Sequence, residues 1–183
     1  MGAMMSTQGE TLSVSQAVQM IGNVPQYANV ISSNDTIVFK GSDIKLVVIA
    51  AGHEELSNIT SNASPGYATD DIFVIYGLVD PTLVVPHGAT LEITVVNLDE
   101  GMYHNFVFAS SGPPYSYMAM QGMMYGQAGI WTMMPFLPPA TGNGIVHEYS
   151  YAITVPASAS LWYLCTYPGH AQNGMYGRML VAG

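Results

Sequence analysis

From Thr36 onward, apolar side chains fall at every second position in short runs, and turn residues separate the runs. Leu91, Ile93 and Val95 alternate with Thr90, Glu92 and Thr94, which gives one buried face and one wetter face. Ile145, His147, Tyr149, Tyr151, Ile153 and Val155 form a second apolar face, opposed by Glu148, Ser150 and Thr154. This two-residue period predicts strands. Strands are also expected over 36–39 and 44–50, joined as a hairpin by Gly41-Ser42-Asp43, and over 71–76, 82–85, 104–109, 159–164 and 175–181. Before Thr36 the period is different. Val14, Ala17, Val18 and Ile21 recur at helical spacing behind Ser13, a capping residue type, and Gly22 and Pro25 stop the pattern. A short helix is expected there, followed by a further turn over 26–31.

The stretch 110–144 breaks the strand pattern. It holds Pro113-Pro114, Pro138-Pro139 and the methionines Met118, Met120, Met123, Met124, Met133 and Met134, with room for a short helix over 117–125. A connection of that length in a small protein usually has a task. Many short strands separated by turns predict an all-β Greek-key sandwich. The expectation is a single domain over 1–183, with 1–35 as a partly helical N-terminal extension and 36–183 as the sandwich.

Charge narrows the function. Lys and Arg total 3 against 12 Asp and Glu, for a formal net charge of −9. Nothing in that set neutralises a run of phosphates, so a nucleic-acid partner is excluded. Few carboxylates can be paired, so little stability is lost when acid protonates them. The composition therefore fits an acidic exterior. A lone cysteine rules out an internal disulfide. Residues 1–10 are polar and carry no apolar signal core, so the chain reads as soluble, with any anchor confined to a longer precursor.

That cysteine, Cys165, opens the run Cys165-Thr166-Tyr167-Pro168-Gly169-His170-Ala171-Gln172-Asn173-Gly174-Met175. Pro168 and Gly169 turn the chain so that His170 can fold back towards Cys165. His104, in Tyr103-His104-Asn105-Phe106, comes from a distant predicted strand. A thiolate, two imidazoles and a thioether suit copper in an electron-transfer site, where one electron is passed and no substrate bond is broken. Zinc also takes Cys and His, and the thioether argues against it. Met179 rivals Met175 as the axial donor. His53 lies in a loop, His87 in an exposed Pro-His-Gly turn, and His147 on an apolar face as a core histidine. Asn105 and Thr166, each next to a candidate ligand, are expected to pin the loop to the sheet by a hydrogen bond. Phe106, Phe108, Trp162 and Tyr163 are candidates for the apolar surround.

The runs Asp80-Pro81-Thr82-Leu83-Val84-Val85-Pro86-His87-Gly88-Ala89-Thr90-Leu91, Val95-Val96-Asn97, Tyr103-His104-Asn105-Phe106 and the Cys165 to Met175 loop resemble the cupredoxin family. The resemblance implies a sandwich with one type 1 copper cycling between Cu(I) and Cu(II). It also implies His104, Cys165, His170 and Met175 as ligands and Asn105 as a neighbouring hydrogen-bonding residue. More narrowly, the chain resembles the archaeal sulfocyanins, with rusticyanin, a bacterial acid-stable relative, next. That implies a monomeric, non-enzymatic carrier without a small-molecule substrate. It would shuttle one electron between a membrane respiratory complex and another carrier on the extracytoplasmic face of the cell membrane. The His170 ring edge is expected to surface within an apolar patch of Pro168, Gly169 and Ala171. The alternative is a copper carrier or chaperone that uses the methionines of 110–144.

Overall fold

The computed structural model describes residues 11–52, 70–124, 129, 132–157 and 160–183. Among them are strands β1 Thr11–Ser13, β2 Ala28–Ile31, β3 Thr36–Phe39, β4 Asp43–Gly52, β5 Asp71–Ile75 and β6 Leu78–Val79. They continue with β7 Thr82–Pro86, β8 Thr90–Asn97, β9 Val107–Ala109, β10 Ile145–Thr154, β11 Ser160–Leu164 and β12 Tyr176–Ala182. Helices are α1 Val14–Gly22 and α2 Ala119–Met124. Two sheets face each other, one ordered β1-β10-β8-β4-β5-β6 and the other β2-β3-β7-β12-β11-β9.

The period-two pattern fills the space between the sheets. Ile44, Leu46, Val48 and Ala50 of β4 point inward beside Leu91, Ile93 and Val95 of β8 in parallel register. Phe73, Phe106, Phe108 and Tyr163 meet at ring-centroid distances of 5.0 to 5.8 Å. Such pairs add about 0.5–1.5 kcal/mol each beyond area burial. The outer face of the first sheet has its own cover. Ala17 and Ile21 of α1 pack on Ile49, Ile72, Val74, Val96 and Val146, so these strands are apolar on both faces. Ser13 caps α1 through a reciprocal capping box with Gln16.

Three expectations need correction. The segments 36–39 and 44–50 are not a hairpin: β3 pairs with β2 and β7, and β4 with β5 and β8. Gly41, at φ +97°, turns the chain from one sheet to the other. Strands that face across a core show the same alternation as strands that pair within a sheet, so the pattern could not separate them. The expected turn over 26–31 contains the edge strand β2 instead. At the start of β10, Val146 is buried under α1 while Ile145 is 42% exposed and His147 only half-buried. His147 is therefore not a core histidine.

The topology brings three distant segments to one end. β12 lies between β7 and β11, and β11 also pairs with β9. The exit from β11 at Cys165, the entry to β12 after Met175 and the approach to β9 at His104 are thus neighbours.

Candidate metal centre

The loop from Cys165 to Met175 is closed by its own backbone. Cys165 N–H donates to the Met175 carbonyl at 3.1 Å, and Met175 N–H donates to the His170 carbonyl at 3.0 Å. His170 N–H and Asn173 N–H close inner turns on Tyr167 and Gly169. Gly169, at φ +87°, takes the left-handed conformation that the turn requires, and its N–H donates to the Tyr117 carbonyl at 2.7 Å. That last bond fastens the ligand loop to the long 110–144 connection. His104 is held from the other side by paired backbone bonds with Leu137, at 3.2 and 2.7 Å. The long connection therefore braces the site on both flanks. Met134, one of its methionines, is buried and accepts the Phe106 N–H on its sulfur at 3.2 Å.

Three donor atoms converge. Cys165 Sγ lies 3.8 Å from His104 Nδ1 and 3.6 Å from His170 Nδ1, and the two nitrogens are 3.2 Å apart. With metal–nitrogen and metal–sulfur bonds of about 2.0 and about 2.3 Å, an ion at the centre of a trigonal plane sets its nitrogens about 3.5 Å apart and nitrogen from sulfur about 3.7 Å. The observed triangle matches that spacing. Cys165, His104 and Met175 are fully buried, and His170 is 4% exposed. Met175 sits in the loop and is bonded to Cys165 through its carbonyl, whereas Met179 lies inside β12, paired with Leu161 and Leu83. Met175 thus shares its loop with Cys165 and His170.

Asn105 and Thr166 meet as expected: Asn105 Nδ2 donates to Thr166 Oγ1, and Thr166 N–H donates to Asn105 Oδ1, both at 2.7 Å. Two carboxylates that the sequence did not single out stand behind the imidazoles. Asp99 Oδ2 is 3.1 Å from His104 Nε2, and Asp71 Oδ2 is 3.2 Å from His170 Nε2. Asp99 sits in the turn after β8, where Asn97-Leu98-Asp99-Glu100-Gly101 reads as ordinary turn polarity; Asp71 opens β5. Only their placement reveals them.

The ionisations follow this packing. Burial raises Asp99, but hydrogen bonds from His104 and the Gly101 N–H outweigh it and hold the carboxyl at about 2. Burial also lowers His104, and hydrogen bonds to Asp99 and Cys165 overcome it to raise that ring to about 9. Burial raises Asp71 to about 6. His170 is lowered to about 4 by burial and then by the neighbouring His104 charge.

No family model matches this chain. Curated relatives do. Rusticyanin from Acidithiobacillus ferridurans is 28% identical over 150 residues, covering 81% of this chain and 68% of that protein. Rusticyanin from Acidithiobacillus ferrooxidans is 28% identical over 151 residues, covering 82% and 83%. The 1.27 Å structure of rusticyanin from Thiobacillus ferrooxidans superposes with a TM-score of 0.71 at 26% identity, over 96% of this chain and 98% of that one. The fold is cupredoxin-like, and the cluster is a type 1 copper site. Its chemistry is one-electron transfer, not enzymatic turnover.

The comparisons overturn the narrower resemblance. The matching relatives are rusticyanins of Acidithiobacillus, bacterial rather than archaeal, and no sulfocyanin appears among them. The residues that carried the resemblance are the ligand loop, the Pro-His-Gly turn and the first histidine. These carried the resemblance to cupredoxins at large and do not separate one group of them from another.

The remaining candidates fall away from the centre. His87 is exposed, His147 is half-buried on β10, and His53 lies outside the described residues. The expected surface edge of His170 is also corrected: its Nε2 is buried and faces Asp71. Beside His170, at 4.8 Å, lies the half-buried ring of Tyr167, with the exposed Tyr103 stacked on it at 6.2 Å and the exposed Phe136 edge-on at 5.4 Å. Phe106, Phe108 and Tyr163 form the buried apolar floor, while Trp162 is only half-buried, with Arg178 5.9 Å from its ring centroid.

Proposed function

We propose that this protein carries single electrons between respiratory partners, a membrane complex or another redox carrier, on the extracytoplasmic side of a cell membrane in acidic surroundings. The observation that carries the reading is the buried triangle of Cys165 Sγ, His104 Nδ1 and His170 Nδ1, already spaced for a metal. In this reading the three atoms are ligands and Met175 supplies the weak axial thioether. Copper held there supplies a couple that exchanges one electron with little rearrangement.

The chain's own residues do the rest. Backbone bonds across the Cys165 to Met175 loop, and from Leu137 to His104, keep the donors from spreading when the charge of the site changes. Phe106 and the buried strands beneath keep water from the donors. Asn105 and Thr166 join the two halves of the ligand set. Tyr103, Tyr167, Phe136 and Met102 give this end of the molecule a weakly charged apolar surface, suited to the small, short-lived contacts of redox encounters. No helix among the described residues is long and apolar enough to cross a membrane.

The test is electron exchange with respiratory membranes at acid pH. Copper-loaded protein should be reduced and reoxidised by them. Tyr103→Lys and Phe136→Lys, which place a charge on the apolar end, should slow that exchange while leaving the midpoint potential in place. Unchanged rates in both variants would remove this surface from the account.

A further inference from the structure

Both donor imidazoles have a carboxylate at their far nitrogen. Asp99 is fixed on every side. Its Oδ2 meets His104 Nε2 at 3.1 Å, and its Oδ1 accepts the N–H groups of Gly101 and Met102 at 2.6 and 2.9 Å. Its own N–H donates to Asn97 Oδ1, and Asn97 Nδ2 in turn donates to the carbonyls of Met102, Leu137 and Pro138. Asp71, at the start of β5 and paired in register with Gly52 of β4, stands 3.2 Å from His170 Nε2 without the geometry of a hydrogen bond. Ligand atoms of Asp71, Asp99 and His104 all lie within 4.8 Å of one another. The four side chains are at most 14% exposed.

We propose that two carboxylates set the reduction potential of the centre below what its apolar surroundings alone would give: Asp99, which also orients the His104 ring, and Asp71, whose charge stands beside His170. This rests on the type 1 copper reading. The physical reason is direct. A carboxylate accepting the Nε2–H, as Asp99 does from His104, fixes the tautomer, leaves Nδ1 free to bind metal and raises its basicity. Negative charge held in a poorly solvated region favours the more positive, oxidised state of the site. The buried rings around Phe106 act in the opposite direction, so the potential is a balance between apolar packing and the two carboxylates. Asp99 is a positioning residue that acts through the His104 ring; Asp71 acts on the centre by its charge.

The experiment is potentiometry and metal titration on Asp71→Asn, Asp99→Asn and the double variant at pH 7 to 8, above the value of about 6 to which burial raises Asp71, with Asp70→Asn as control. Asp70 is exposed and adjacent in sequence. Asn keeps the size of the side chain and an acceptor oxygen while removing the charge. Loss of such a partner weakens metal binding by about 10- to 100-fold, and here the loss should fall mainly on cupric ion. A tenfold preferential loss of cupric over cuprous affinity corresponds to a rise of about 59 mV for a one-electron couple. Each single variant should therefore show a higher potential and weaker cupric affinity, the double variant more of both, and Asp70→Asn a much smaller change. If Asp99→Asn fails to fold, Asp71→Asn decides the matter, since Asp71 lies at a strand end. Blue variants with the parent potential would overturn this role of the carboxylates alone. A parent protein that stays colourless with cupric ion would instead sink the copper reading beneath it.

Discussion

Asn105 and Thr166 stand 61 positions apart in the chain and hold each other through two hydrogen bonds of 2.7 Å, one of them to backbone. Each directly follows a ligand candidate, so the pair ties His104 to Cys165.

Replacing Asn105 by Ala should leave the buried Thr166 N–H and hydroxyl without these partners. An unsatisfied buried group costs about 1–3 kcal/mol. Urea unfolding should show a loss of that order, and the copper-loaded variant should have a broadened visible band. A variant as stable as the parent would mean that Asn105 is not a structural tie.

Asp80 gives the fold a pH dependence. Its carboxyl is buried, with Oδ1 accepting the Phe73 N–H at 3.0 Å and Oδ2 without a hydrogen-bond partner. Burial pushes its pKa well above 3.8. The unfolded chain therefore loses this proton first as pH rises. The contribution to stability is complete below about pH 4 and is lost as pH climbs through the raised folded value, at about 1.4 kcal/mol for each unit between the two. Asp80→Asn, which suits the left-handed backbone at φ +43°, should stabilise the protein near pH 7 and change little near pH 2. Chemical unfolding at both pH values checks this; equal effects at both would refute it.

Gly177 pairs with Tyr163 across β12 and β11, and a Cβ there would collide with the Tyr163 phenol, which donates to the Pro81 carbonyl. Gly177→Ala should cost about 1–3 kcal/mol through overpacking. Combined with Tyr163→Ala, the loss should be smaller than the sum of the single effects, because the second change removes the ring that the Cβ would meet. Strict additivity in a double-mutant cycle would contradict the proposed contact.

The capping box on α1 predicts a smaller effect. Ser13→Ala removes the side-chain acceptor for the Gln16 N–H and should cost about 1 kcal/mol. A thermal melt that does not move would show that the helix is held by Ala17 and Ile21 alone.

Much of this was legible in the chain. The strand pattern, the helix behind Ser13 and the Cys165 to Met175 run all carry local signals, since alternation, capping and ligand spacing act over a few residues. The partner of each strand was not legible. β3 and β4 alternate as hairpin strands would, yet they belong to opposite sheets, because burial on facing sheets leaves the same imprint. Asp71 and Asp99 were invisible for a related reason. Each looks like an ordinary strand-end or turn carboxylate until the fold places it behind an imidazole. Tyr167 carried no signal of its own, and only the fold sets its half-buried ring 4.8 Å from the buried His170. The narrower kinship failed because the residues supporting it are shared across cupredoxins.

The central claim is that Cys165, His104 and His170 hold one copper ion as a type 1 centre. The visible spectrum of the oxidised, copper-loaded protein tests it most directly. An intense thiolate-to-copper charge-transfer band that disappears in Cys165→Ala and persists at acid pH is the predicted result. A folded protein that remains colourless with cupric ion, or a band unchanged in Cys165→Ala, would contradict it.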